Sequence, residues 1–152
     1  MLLRPMLLAA LLLLAMAQLS AAVGLSPGDV PSPMANPQGC GRIGVKRSSV
    51  CDVDNMMTSE DKDVIEGYIN KIENDEVAVL MIKKMAPSFI GSNSVERASE
   101  RFAREVHDSW GVGRKGEDNG ALIFLSIDDR YRVLAFSQRT YRLSPAKLFH
   151  SH

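Results

Sequence analysis

Apolar residues at Val64, Ile65, Tyr68, Ile69 and Ile72 recur at intervals of three and four, the period of a helix that buries one face. Thr58, with Asp61 three residues later, supplies a capping-box-like start, and Asp61 and Asp63 suit the positive end of the helix dipole. "VAVLMI", Val77 to Ile82, is a continuous apolar run with β-branched members and predicts a strand buried on both faces. "KKMAPSFIGSNS" contains Pro87 and Gly91 and reads as a loop. A second amphipathic helix follows on Val95, Ala98, Phe102, Val106 and Trp110, with Ala103 beside them, Ser94 as N-cap and Gly111 as stop. The runs "ALIFLSI" (121–127) and "YRVLAFS" (131–137), separated by Asp128-Asp129-Arg130, predict an antiparallel hairpin with a three-residue turn.

The resulting order, helix-strand-helix-strand-strand, implies an α/β fold in which helices cover a small mixed sheet. Neither end of the chain fits this pattern. Residues 1–22 combine Arg4, a run of twelve apolar residues from Met6 to Ala17 and the small residues Ser20-Ala21-Ala22, and so read as a secretory signal peptide. Twelve apolar residues fall short of the roughly 20 that cross a bilayer as a helix. No other segment approaches that length. Residues 23–39 hold four prolines and three glycines and read as an extended leader. The folded domain is expected over 40–137, and 138–152 shows neither period.

Charge adds little direction. The 18 basic residues balance the 18 acidic ones, and removing Arg4 with the signal leaves 17 against 18, about −1. No basic field points to nucleic acid. Secretion does change how the cysteines are read, because an oxidising compartment favours disulfides. Cys40 and Cys51 are expected to pair with each other, with free thiols or an intermolecular bond as the alternatives.

Gly111, Gly113 and Gly116 have the G-x-G-x-x-G spacing of a dinucleotide site, but they follow a helix and precede a strand. That is the reverse of the arrangement that aims backbone N–H groups at a phosphate. There is no G-K-[ST] sequence either. Asp118, Asp128, Asp129, Asp52 and Asp54 fall beside strand ends or a helix start. Carboxylates gathered from several loops could hold calcium, which takes six to eight oxygen ligands. Turn carboxylates facing water are the competing reading. His107, His150 and His152 read as surface residues, no G-x-S-x-G is present, and Trp110 with Phe102 reads as core.

"WGVGRKGEDNGALIFLSIDDRYRVLAFS" resembles the signature of the TPM domain: a helix ending in W-G-[IVL]-G, a charged loop, N-G, an apolar strand, and D-[DR]-R before a second strand. The resemblance covers residues 51–137. "NPQGCGR" followed by "SSVCDVDNMMTSED" is similar to the opening of the animal branch, the modulators of the levamisole receptor, and the plant and bacterial branches lack this cysteine pair. Val53 stands where that branch has proline, and Asn55-Met56-Met57 replaces a glycine-containing turn.

The resemblance implies an α/β/α sandwich. For the animal branch it implies a secreted or membrane-associated auxiliary protein, at the extracellular face of the plasma membrane, that modulates a nicotinic-type acetylcholine-gated receptor. The plant branch implies acid phosphatase activity and calcium binding, whose matching positions here are Asp118, Asp128 and Asp129, with Asp54 next. No phosphatase nucleophile aligns. Receptor-modulator relatives continue into further helices and a transmembrane helix, so the resemblance also implies a C-terminally shortened domain.

Overall fold

The computed structural model describes residues 24–114 and 116–136, and the backbone of 140–142. The signal-peptide reading of 1–22, and His150 and His152, lie outside the described residues. The elements in chain order are β1 (Val50–Asp52), α1 (Ser59–Ile69), β2 (Glu76–Ile82), α2 (Pro87–Ile90), α3 (Val95–Trp110), β3 (Gly120–Ser126), β4 (Tyr131–Phe136) and β5 (Thr140–Arg142). They build one sheet in the order β1-β2-β3-β4-β5. The first three strands are parallel, and β4 and β5 add antiparallel.

The α/β class and the mixed sheet therefore stand, with three elements more than the sequence pattern gave. β1 and β5 are three residues each, too short to show a period. The one-turn helix α2 lies where the sequence reads as a loop, with Pro87 at its first position, where a missing N–H costs nothing. The β3–β4 connection spans Ile127 to Arg130 rather than three residues, because the Ile127 N–H leaves the hairpin to bond Ile82 O.

Alternation along the strands separates the two faces. Ala78, Leu80 and Ile82 of β2, Leu122 and Phe124 of β3, and Val133 and Ala135 of β4 face the core, with Ala98, Phe102, Ala103 and Val106 of α3. Phe102 lies at the centre, stacked on Phe124 at 4.8 Å and edge-on to Phe89 at 5.3 Å. Helix α3 begins at Ser94, whose side chain accepts from the Arg97 N–H, and ends at Gly111 in the left-handed conformation.

Three sequence expectations are corrected. Residues 24–39 form no detached leader. Leu25 bridges to Met85, a 3₁₀ turn at Pro27–Asp29 packs toward α3, and Val30 is buried. Prolines block a regular element here but not packing. Second, α1 buries its apolar stripe only in part: Ile65 and Ile69 are half-buried, Val64, Tyr68 and Ile72 are exposed, and the fully buried residue of the helix is Lys62. The thin edge strand β1 offers α1 polar and charged partners in place of an apolar sheet face. Third, His107 is buried rather than on the surface, since it lies one turn beyond Ala103 on the core side of α3.

Candidate functional site

Carboxylates gather at the C-terminal ends of the three parallel strands. Asp54 follows β1, and its Oδ2 accepts from the Lys83 N–H just beyond β2 at 2.6 Å. Asp129 follows β3, and its Oδ2 accepts from the Met85 N–H at 2.8 Å and the Ser126 hydroxyl at 2.6 Å. The Asp128 N–H donates to Lys83 O at 2.8 Å. Residues from β1 and β3 thus converge on Lys83–Met85 at the end of β2. That edge is where open α/β sheets place ligands. Asp54, Asp128, Lys83 and Lys84 are exposed there, and Asp129 is half-buried.

Asp52, at the end of β1, is a different kind of residue. It is fully buried, accepts from the Met56 and Met57 N–H groups at 3.0 and 2.8 Å, and pairs with Lys62 Nζ at 3.1 Å. Lys62 also donates to Gly41 O at 3.2 Å. Beside this pair, Arg42 bonds Asp63 at 2.7 Å, and the Glu66 carboxylate accepts from the Ser49 N–H at 2.8 Å. These charges fasten α1 to the sheet edge. The Cys40–Cys51 disulfide, buried on both sides, ties the N-terminal arm to β1 at the same place.

Asp118 stands apart from the other carboxylates. It precedes β3, whereas Asp128 and Asp129 follow it, and seven strand residues at about 3.3 Å each put roughly 20 Å between them. One ion cannot be shared across that distance. Among the described residues no group of three acidic, histidine or cysteine side chains is placed to hold a metal ion. The set Asp118, Asp128, Asp129 and Asp54 therefore does not fit one calcium site; Asp54 and Asp129 each commit an oxygen to a backbone N–H.

Near Asp118 the three spaced glycines line a cleft of about 390 Å³ with His107, Asp108 and Arg114. Of the three, Gly113 sits at a close backbone crossing with Gly120, while Gly111 caps α3 and Gly116 meets open space. A Cβ on Gly120 would stand 2.0 Å from Val112 O, and one on Gly113 would stand 2.7 Å from the Gly120 nitrogen. His107 Nδ1 lies 3.2 Å from the Asp108 carboxylate. The sequence reasoning missed Lys83 and Lys84 as neighbours of the carboxylate group; a basic pair directly after a buried strand was the available signal.

Among the described residues no helix is long and apolar enough to cross a membrane. No curated protein matches the chain. A solved structure that does resemble it is the solution NMR structure of the N-terminal domain of a protein from P. gingivalis, at 23% identity and a TM-score of 0.52. The match covers 74% of this chain and 62% of that one, so the chain spans less than two thirds of its neighbour's length, and the likeness concerns the fold. The TPM domain model matches residues 50–147, more than half of the sequence and including the W-G-V-G, N-G and D-D-R elements that close α3, open β3 and turn it into β4. The chain belongs to the TPM domain family.

Proposed function

We propose that this chain is an extracellular interaction domain that binds and modulates an acetylcholine-gated receptor of the nicotinic type. The observation that carries this reading is the buried Cys40–Cys51 disulfide, which builds the N-terminal arm into the domain and suits an oxidising compartment. The acidic residues fit such a role as braces: Asp52, Asp54 and Asp129 hold backbone N–H groups that fix the loops after β1 and β2. The test is co-expression with acetylcholine-gated channels, recording agonist-evoked current and measuring co-purification. A shifted agonist response with co-purification supports the reading; an unchanged response with no co-purification removes it.

A second reading has its own support, because phosphatase activity is associated with the TPM family and exposed Lys83 and Lys84 lie beside Asp128. In that reading the lysines attract phosphate oxygens, water attacks phosphorus as the bond to the leaving oxygen breaks, and the Asp128 carboxyl passes a proton to that oxygen and regains one from the attacking water. Purified protein would release phosphate from an aryl phosphate, and Asp128→Asn would abolish it. Activity that survives Asp128→Asn rules out this assignment.

A further inference from the structure

Helix α1 half-buries Ile65 and Ile69 but leaves the rest of its apolar stripe outside. Its inward side is held by the polar contacts of Lys62, Asp63 and Glu66 described above. Its outward side presents Val64, Tyr68 and, just beyond its last turn, Ile72, at 57, 67 and 43% exposure. Scattered exposed apolar residues need no explanation, whereas large ones repeated at intervals of four form a stripe that a surface helix normally buries. Lys71 Nζ lies 5.4 Å from the Tyr68 ring centre.

The stripe does not stop with the helix. Ile72 also lines a groove of about 300 Å³ on the sheet face opposite α3, with Val77, Ile123, Leu134 and Phe136 as its apolar walls. Stripe and groove therefore form one continuous apolar strip. Its rim is acidic: Glu60 precedes Val64 by one turn, Glu73 and Asp75 follow Ile72, and Asp118 borders the groove. From Ser59 to Glu76 the sequence carries seven acidic residues against two basic ones, and one of those two, Lys62, is buried on Asp52.

We propose that this strip docks a cationic amphipathic helix of a partner protein. Apolar side chains at helical spacing pack along Val64, Tyr68 and Ile72 into the groove, and flanking Lys or Arg residues meet Glu60, Glu73 and Asp75. Helix-in-groove recognition supplies the affinity through the apolar anchors, and the acidic rim supplies steering and selects the sign of the partner. The surface is distinct from the carboxylate group at the strand ends and holds under either functional reading above.

The probe is a fluorescein-labelled model helix of leucine and lysine in amphipathic order, titrated into the full chain. Two controls accompany it, the same peptide with glutamate for lysine and one with its order scrambled. The leucine–lysine helix binds, the controls do not, and added salt weakens binding. Val64→Ser with Tyr68→Ser, and separately Glu73→Lys with Asp75→Lys, each weaken binding about tenfold or more, the scale of losing an anchor or a charge pair. The substituted positions are exposed, so thermal midpoints stay near the parent's and separate lost binding from lost folding. Equal binding of the controls, or unchanged affinity in both double variants, overturns the proposal. So does a dimer in sedimentation velocity that Tyr68→Ser dissolves, which would make a second copy the occupant.

Discussion

Lys62 Nζ stands 3.1 Å from Asp52 Oδ2 with both side chains almost wholly out of solvent, and this pair fastens α1 to the edge strand β1. Each charge is also hydrogen-bonded: Asp52 by the Met56 and Met57 N–H groups, Lys62 to Gly41 O. A buried pair of this kind adds little over an apolar replacement of both partners, yet removing one partner leaves an uncompensated buried charge.

Lys62→Met is therefore expected to cost about 3–5 kcal/mol. Asp52→Asn costs a comparable amount, since it weakens the acceptors for two backbone N–H groups as well as the ion pair. The double variant costs clearly less than the sum of the two, because the second change removes the orphan charge left by the first. Urea denaturation of the four proteins checks this. Additive losses would mean that the two side chains act independently.

The glycines before β3 give a sharper contrast. Gly120→Ala forces a Cβ to within 2.0 Å of Val112 O, so the α3–β3 crossing must open, and a loss above about 3 kcal/mol is expected for backbone overlap that no rotamer relieves. Gly116→Ala meets open space and carries only the strain of its positive φ, about 1 kcal/mol. Thermal denaturation ranks the two, and calorimetric titration with a nicotinamide dinucleotide shows no binding by the parent. Similar costs at both positions would remove the crossing as the reason for the glycines.

What the sequence showed and what it hid divide along a physical line. Long elements that meet an apolar surface were legible: α3 from its Phe102-Val106-Trp110 spacing, β2 and β3 from their continuous apolar runs, and the glycine loop from its place after a helix. Helix α1 is legible as a helix, but not that Val64, Tyr68 and Ile72 stay exposed while Lys62 is buried, because period alone cannot show that the partner surface includes Asp52, Ser48 and Ser49. The carboxylates were legible as loop residues, but nothing in the linear order separates Asp118 from Asp128 by the length of β3. β1 and β5 carry too few residues for a pattern. The arm from Gly24 to Gly39 was hidden because prolines obscure periodicity while still packing through Val30 and Pro33.

Phe102 tests the core directly. It is fully buried, stacked on Phe124 and edge-on to Phe89, in a layer formed by α3 and the sheet. Phe102→Ala is expected to lose about 3–5 kcal/mol through lost burial and the cavity left behind, and Phe102→Leu roughly half of that. Denaturant midpoints measure both. A loss under about 1 kcal/mol for the alanine would show that the site collapses around the gap and that the aromatic layer is not central.

The disulfide makes a prediction that stability alone cannot imitate. Cys40 and Cys51 close a short loop that contains the exposed Lys46 and Arg47, a natural trypsin site between the two bonded cysteines. Cleavage there leaves the N-terminal arm covalently attached to β1 in the oxidised parent, and reduction releases it. In Cys40→Ser with Cys51→Ser the same cut frees the arm without reductant, since the ties that remain, among them the Leu25–Met85 bridge, the burial of Val30 and Pro33 and the Gly41 and Arg42 contacts with α1, are all non-covalent. The double variant also loses about 3 kcal/mol from relaxed loop closure in the unfolded chain. Mass spectrometry of tryptic digests with and without reductant reads the linkage, and urea denaturation reads the energy. An arm released from the oxidised parent would show that the two cysteines are not bonded to each other in the protein, and the proposed extracellular role would lose its main support.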